Sequence, residues 1–326
     1  MAHKVFIDGE AGTTGLQIRQ RLAARSDLEL VSIDPARRKD PEARAELLNA
    51  VDVAILCLPD EGAKEAVSLI TNPDVAVVDP STAHRVAPGW VFGFPELRPG
   101  QREAIAASKR VTNPGCWSTG FIALIAPLVR AGLVPADYPL TAHGISGYSG
   151  GGRGLIEEFE QTPAHASTRD AYRSYGLNLA HKHLAEMAAY TGLEHPPLFS
   201  PAVGRYAQGM VVEAPLILRT LPGRPAASDL QAALAEAYAG ERFVEVASAE
   251  ESAGLQKSRA GAAGYVEGLD PEAMNGTNRM RLFVFGNEDR GEARLIALLD
   301  NLGKGASGAA VQNLNLLLGL EEGAGL

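Results

Sequence analysis

The 326-residue chain predicts an α/β fold in two parts, a parallel-sheet domain followed by an α+β domain with a mainly antiparallel sheet. Three observations carry that prediction. A short apolar strand, Val5-Phe6-Ile7, runs into a glycine turn and then a helical pattern. Two continuous apolar runs follow, Val51 to Leu58 and Val75 to Asp79, as in a parallel sheet covered on both faces. Further along, the runs 211–220 and 279–286 read as strands with a helical stretch near 228–239, which suits an antiparallel sheet with helices on one face.

The glycine turn is Gly9-Glu10-Ala11-Gly12-Thr13-Thr14-Gly15, and the helix behind it sets apolar Leu16, Ile18 and Leu22 among Arg19, Gln20 and Arg21. Strand, glycine turn and helix together make the setting of a dinucleotide fingerprint. Glycines let the backbone approach a pyrophosphate, and the helix start supplies N–H groups. Gly9, Gly12, Thr13, Thr14 and Gly15 are therefore cofactor-binding candidates in a Rossmann-like domain. The spacing is G-x-x-G-x-x-G and not the commoner G-x-G-x-x-G, so a ligand-free βα turn is the competing reading. The next strand, Leu28 to Ile33, ends in Asp34-Pro35-Ala36-Arg37-Arg38-Lys39. That point in the fold meets the adenosine ribose, where cations suit a 2′-phosphate and a carboxylate suits a free hydroxyl. Ser32, Arg37 and Arg38 favour NADP, Asp34 argues for NAD, and a solvated charged loop is the alternative. The strands that end in Leu58-Pro59-Asp60 and Asp79-Pro80-Ser81-Thr82 bring these segments to the carboxyl edge, and Cys57 reads as core. Phe94-Pro95-Glu96-Leu97 reads as a loop on the way to Val111-Thr112.

Asn113-Pro114-Gly115-Cys116-Trp117-Ser118-Thr119-Gly120 places a cysteine on a Pro-Gly turn before a helical run over 118–131. A thiol at a helix N-terminus meets the positive end of the dipole and unpaired N–H groups, which favours the nucleophilic thiolate. The same N–H groups can hold an oxyanion. The plainer reading makes Cys116 a small buried hydrophobe. After a strand at Leu140 to Ile145, the stretch Ser146 to Gly154 reads as a flexible polar loop. Its Ser146, Ser149 and Arg153 suit an oxyanion or phosphate, against the alternative of a plain surface loop. His181-Lys182-His183 follows, with two histidines that cannot share a helix face but can sit just before a helix. Either can move a proton near neutral pH. With no cysteine or carboxylate cluster beside them, no metal is expected. The chain closes with Asn301 to Ala310 and a Leu-rich helix, Val311 to Leu318, read as a return to the first domain.

Composition bounds the rest. With 46% hydrophobic and 21% charged residues the chain can bury a substantial core in about two domains. No run reaches the ~18 apolar residues of a membrane span, and the start shows no secretory h-region. Two cysteines in unlike settings make no disulfide framework, so a reducing, cytoplasmic location is expected. A net charge of −9 argues against nucleic acid as the main partner, while local arginines still allow a small anionic substrate.

Together these residues resemble the N-acetyl-γ-glutamyl-phosphate reductases, in the shorter of two sequence types. The match runs nearly end to end: Gly9 to Gly15, Phe94 to Leu97, Asn113 to Cys116, the glycine-rich stretch to Arg153, His181 to His183, and Asn301 to Gly308. The resemblance implies an NADP-binding domain at 1–115 completed by 301–326, and a catalytic and oligomerisation domain at 116–300. It implies a cytoplasmic homo-oligomer, dimer or tetramer, serving arginine synthesis. Cys116 takes the nucleophile's place and a histidine of the His-x-His segment the acid/base's, His183 ahead of His181. Asn301 joins the cofactor-binding set, and Asn113, Ser146, Ser149 and Arg153 the substrate-binding set. The implied reaction is NADPH-dependent reduction of an acyl phosphate to an aldehyde through a cysteine thioester. The longer type carries a Pro-His-Leu segment where this chain has Phe199 to Gly204 without histidine, so nothing is carried over there. Aspartate-semialdehyde dehydrogenase and a non-catalytic NADP-binding regulator are the alternatives.

Overall fold

The computed structural model describes residues 2–38, 40–160, 167–256 and 268–326. Lys39, the third of the expected cations, lies outside the described residues. The chain divides into two compact units, Met1–Gly115 with Gly305–Leu326, and Cys116–Lys304.

The first unit is built on β1 (His3–Asp8), β2 (Leu28–Val31), β3 (Val53–Leu56), β4 (Ala76–Asp79), β5 (Val91–Phe92) and β6 (Arg110–Thr112). They form one parallel sheet in the order β2-β1-β3-β4-β6-β5. Its helices are α1 (Thr13–Leu22), α2 (Pro41–Leu48), α3 (Asp60–Leu69), α4 (Gln101–Ala106) and the C-terminal helix Gly308–Leu317. Local chemistry sets the helix starts. Asp40 caps α2 by accepting from the N–H groups of Glu42 and Ala43, with Pro41 in its first turn. Asp60 and Glu61 place negative charge at the start of α3.

Strand alternation then sorts the core. Val5, Ile7, Val53, Ile55 and Val78 pack with Ile18 and Leu22 of α1 and with Ala310, Val311 and Leu314 of the C-terminal helix. Phe6, Ala54, Leu56 and Val77 pack with Leu48, Ala63 and Ala66 on the opposite face. Strand order reverses at β1, with β2 on one side and β3 on the other, so the glycine turn after β1 sits where such sheets bind ligands.

A buried ion pair ties this edge together. Arg44 donates to Asp8 through Nε at 3.2 Å and Nη2 at 2.9 Å, and to Glu65 at 2.7 Å. Burial pushes the Asp8 carboxyl up, against the lowering influence of Arg44. Arg44→Met leaves Asp8 buried without its cation, which lowers stability by about 3–5 kcal/mol at neutral pH. A carboxyl whose pKa is raised by folding favours the native state at low pH and loses that advantage as pH rises. The destabilisation therefore shrinks on acidification toward pH 5, and urea midpoints at the two pH values check this.

The second unit contains α5 (Cys116–Arg130), β7 (Thr141–Gly147), α6 (Gly152–Glu160), β8 (Tyr172–Ser174), α7 (Leu184–Thr191), β9 (Leu198–Gly204) and β10 (Met210–Leu216). It continues with α8 (Ala227–Ala237), β11 (Val244–Val246), α9 (Ala249–Gln256), β12 (Met280–Asn287) and β13 (Glu292–Leu299). Its sheet runs β11-β12-β13-β10-β7-β9-β8. Four pairings are antiparallel, and β11–β12 and β7–β9 are parallel.

Two expectations change here. The sequence suggests helices on one face, yet Leu255 of α9 packs with Val211, Phe283, Ile296 and Leu298. The neighbouring Val212, which points the other way along β10, contacts α5 instead. Both parities of these strands are apolar, so each face needs cover. The stretch from Ser146 is not a flexible loop either. Tyr148–Gly151 is a 3-10 turn and α6 follows it. Phe159 is buried and stacks on Tyr148 at 4.9 Å, which gives the short helix an apolar anchor. No helix among the described residues is long and apolar enough to cross a membrane.

Candidate active site

Helix α5 begins at Cys116, directly after the Pro-Gly turn. Every residue from Trp117 to Leu128 is buried, so the helix is gripped on all sides and its first residue is held in place. Cys116 itself is partly exposed. It opens, with His181 and His183, into a cavity of about 390 Å³.

His183 is the residue before α7, as its sequence position suggests, and is only 4% exposed. Its Nε2 lies 4.0 Å from Oε1 of the fully buried Glu186. Ser118 Oγ, in the first turn of α5, donates to the His183 carbonyl at 3.5 Å. His181 Nδ1 accepts from the His183 backbone N–H at 3.2 Å, so any single proton on the neutral His181 ring is on Nε2. The two rings meet edge-on at 4.7 Å, with Phe199 against His181 at 4.9 Å.

The substrate-binding candidates separate. Ser146 lines the cavity and its hydroxyl donates to the Gly147 carbonyl. Ser149 is buried and its Oγ accepts from Asn301 at 3.0 Å, while Asn301 Oδ1 accepts from the Gly209 N–H at 2.7 Å. Asn301 thus belongs to the second unit, short of the chain's return at Gly305. Arg153 is exposed on α6 and paired with Glu157 at 2.7 Å. The cations in the cavity wall are Arg173 and Lys182. Arg173 is committed to Glu158 and Asp170, whereas Lys182 is exposed and makes no ion pair among the described residues. Asn113, in the first unit, donates to Ala306 O and accepts from Asn313.

In the first unit, Gly9 has φ +85°, and a Cβ there would lie 2.3 Å from Cys57 O. At Gly15 it would lie 2.7 Å from Gly9 O. The turn itself therefore demands both glycines. At Gly12 nothing is closer than 3.4 Å, and the residue is exposed. Thr13 and Thr14 open α1 beside it, with hydroxyls that make no hydrogen bond among the described residues. At the end of β2, Ser32 Oγ accepts from Arg19 at 2.8 Å, and the same guanidinium pairs with Glu10. Arg37 is held by Asp40, and Arg38 makes no ion pair among the described residues.

Sequence reasoning did not single out Tyr175 and Arg173, which line the cavity, or Arg19, which is bonded to Ser32. Tyr175 and Lys182 stand in the segment that supplied the histidines, so proximity in sequence was a usable signal; Arg173 and Arg19 offered none.

Cys57 is partly exposed, as Cys116 is, but it packs against the core of the first unit. Burial, and after it the Asp79 and Asp8 carboxylates, push its thiol up to about 12. It therefore stays protonated and unreactive at pH 8. Iodoacetamide at that pH should take up one equivalent in the native protein and almost none in Cys116→Ser, counted by intact mass.

Comparison with known proteins adds the following. Residues 116–301 match the semialdehyde dehydrogenase dimerisation domain, and residues 34–107 its NAD binding domain. The N-acetyl-gamma-glutamyl-phosphate reductase 2 of Nostoc sp. is 52% identical over 326 residues, covering 99% of each chain. The N-acetyl-gamma-glutamyl-phosphate reductase of Mesorhizobium japonicum is 54% identical over 322 residues, covering 98% of this chain and 100% of the other. Among solved structures, aspartate semialdehyde dehydrogenase II of Vibrio cholerae superposes with a TM-score of 0.69 at 13% identity, covering 98% of both chains. Aspartate semialdehyde dehydrogenase with NADP from Candida albicans gives 0.64 at 14%, covering 98% of this chain and 99% of that one. At those identities the likeness concerns the fold alone.

Proposed function

The chain belongs to the N-acetyl-γ-glutamyl-phosphate reductases, and from that premise we propose that Cys116 is the nucleophile of a phosphorylating aldehyde dehydrogenase. The reaction converts N-acetyl-γ-glutamyl phosphate to N-acetyl-L-glutamate 5-semialdehyde and phosphate, in arginine biosynthesis. One observation carries the residue assignment: a partly exposed thiol heads a helix buried from Trp117 to Leu128 and shares a cavity with two histidines.

The cofactor is NADP, and the first unit's residues fit it. Gly12 is not required by the turn, and the absence of a side chain there leaves room for a pyrophosphate, with Thr13, Thr14 and the α1 N–H groups beside it. Gly9 and Gly15 shape that turn. Ser32, Arg37 and Arg38 would meet the 2′-phosphate, with Arg19 already hydrogen-bonded to Ser32. Asn301, shared between Ser149 and Gly209, would act by holding the turn from Ser146 to Gly150 in shape. When bound, NADPH supplies the hydride that reduces the acyl group.

The protein's own part begins with the sulfur. The Cys116 thiolate bonds to the acyl carbon and phosphate departs with the C–O bonding pair, leaving a thioester, which is electrophilic where a carboxylate is not. His183 takes the thiol proton beforehand and returns one as the reduced adduct releases aldehyde, a contribution of ~10²–10⁴-fold. Glu186, buried 4.0 Å from Nε2, would keep the ring in position between those steps. Ser146 and Lys182 would meet the substrate's anionic groups in the cavity. The protein works in the cytoplasm, consistent with two cysteines that form no disulfide, and as a homo-oligomer, dimer or tetramer, consistent with the dimerisation-domain match.

The test is phosphate-dependent reduction of NADP with N-acetyl-glutamate semialdehyde, beside aspartate semialdehyde. Turnover with the first at least 100-fold more efficient is expected. Preference for the second, no need for phosphate, or no turnover at all would each overturn the proposal.

A further inference from the structure

The cavity holds a hydroxyl that this mechanism does not use. Trp117, the residue after Cys116, is 2% exposed and packed edge-on against Phe199 at 5.3 Å. A buried indole N–H needs an acceptor, and Trp117 Nε1 finds it in the Tyr175 hydroxyl at 2.9 Å, across 58 residues of sequence. The phenol oxygen is thereby fixed in the wall of the cavity that Cys116 opens into. Because that oxygen accepts from the indole, its own hydrogen must point elsewhere. The hydroxyl makes no other side-chain hydrogen bond among the described residues, and the sulfur of Cys116 is near enough to act on it electrostatically. A partly buried donor held in this way, beside a nucleophile, is what an oxyanion site requires.

We propose that Tyr175 is a catalytic residue whose O–H donates a hydrogen bond to the acyl oxygen when Cys116 attacks. The inference rests on the reading of Cys116 as nucleophile. In that step the C–S bond forms and the carbonyl π pair moves onto oxygen. Tyr175 stabilises the oxyanion without giving up its proton. Collapse returns the pair to the carbonyl and expels phosphate. Tyr175 suits a donor and not a base: burial raises its pKa well above the ordinary phenol value, and negative charge on Cys116 raises it further, against a smaller lowering by the Trp117 hydrogen bond. It therefore stays protonated while the thiolate is formed.

The experiment compares wild type with Tyr175→Phe in the full-length enzyme. Wild-type turnover in the same assay is the control, since its absence would defeat the reading of function and not this inference. Expected for Y175F is a kcat lower by roughly 10–10³-fold, KM for the semialdehyde within about threefold, and an unchanged pH midpoint for iodoacetamide labelling of Cys116. A kcat within twofold of wild type overturns the proposal. So does a loss of rate accompanied by an upward shift of the labelling midpoint, which would make Tyr175 a partner of the thiolate and not of the substrate oxygen. Should Y175F fail to fold, Trp117→Phe keeps the phenol but frees it to turn. A kcat lowered by at least threefold with an unchanged labelling midpoint then supports the proposal, and a smaller change overturns it.

Discussion

Replacing Cys116 with serine removes reductase activity, by at least about 10³-fold in kcat, while the protein keeps its fold and its affinity for NADPH. The hydroxyl of serine is far less acidic than a thiol, so at pH 8 almost none is ionised at the helix start where cysteine would be. Nothing else changes much, because the side chain is a partly exposed first residue of α5 and not part of its packed body. Phosphate-dependent NADP reduction measures the loss. NADPH fluorescence enhancement and the urea midpoint measure what is retained. Turnover above a hundredth of wild type would exclude the thioester route.

His183→Asn lowers kcat by about 10²–10⁴-fold, whereas His181→Asn lowers it by about tenfold or less. Both rings border the cavity, but their settings differ. His183 has the buried Glu186 carboxylate 4.0 Å from Nε2, and its carbonyl is tied to α5 through Ser118. His181 spends Nδ1 on the neighbouring backbone N–H. The profile of kcat/KM against pH separates the two. A histidine acting as acid/base contributes a near-neutral limb, which should vanish in His183→Asn and persist in His181→Asn. The reverse pattern would exchange the roles.

What could be read from the chain was what local pattern encodes. Val5-Phe6-Ile7, the glycine turn and the run from Val75 are short-range signals, and each became β1, the β1–α1 turn or β4. The Pro-Gly step before Cys116 marked the start of α5 to within two residues: the helix expected over 118–131 runs from Cys116 to Arg130. Glycine density misled between Ser146 and Gly154, since a residue with low helix propensity still enters a helix when Leu155, Ile156 and Phe159 supply an apolar side. Strand β13, in the interior of its sheet, goes unread in the sequence although Asn287, Asp289 and Gly291 precede it and Asp300, Asn301 and Gly303 follow it. Contacts between distant residues left no local trace at all. The amide of Asn301 reaches Ser149 across 152 positions, and Tyr175 reaches Trp117 across 58. Arg153, on the flank of α6, and Arg173, in the wall of the cavity, are indistinguishable as letters; only the folded chain separates an exposed arginine bound to Glu157 from one facing the cavity.

The first unit takes its final helix from a segment made long after the rest of it. Ala310, Val311 and Leu314 close one side of its sheet, and Asn313 binds the Gly93 carbonyl and the Asn113 side chain. On the ribosome, then, the nascent nucleotide-binding half waits with an open apolar flank until residues 308–317 have emerged. A frameshift or stop codon near residue 305 would strand that half unfinished and hand it to the chaperones and proteases.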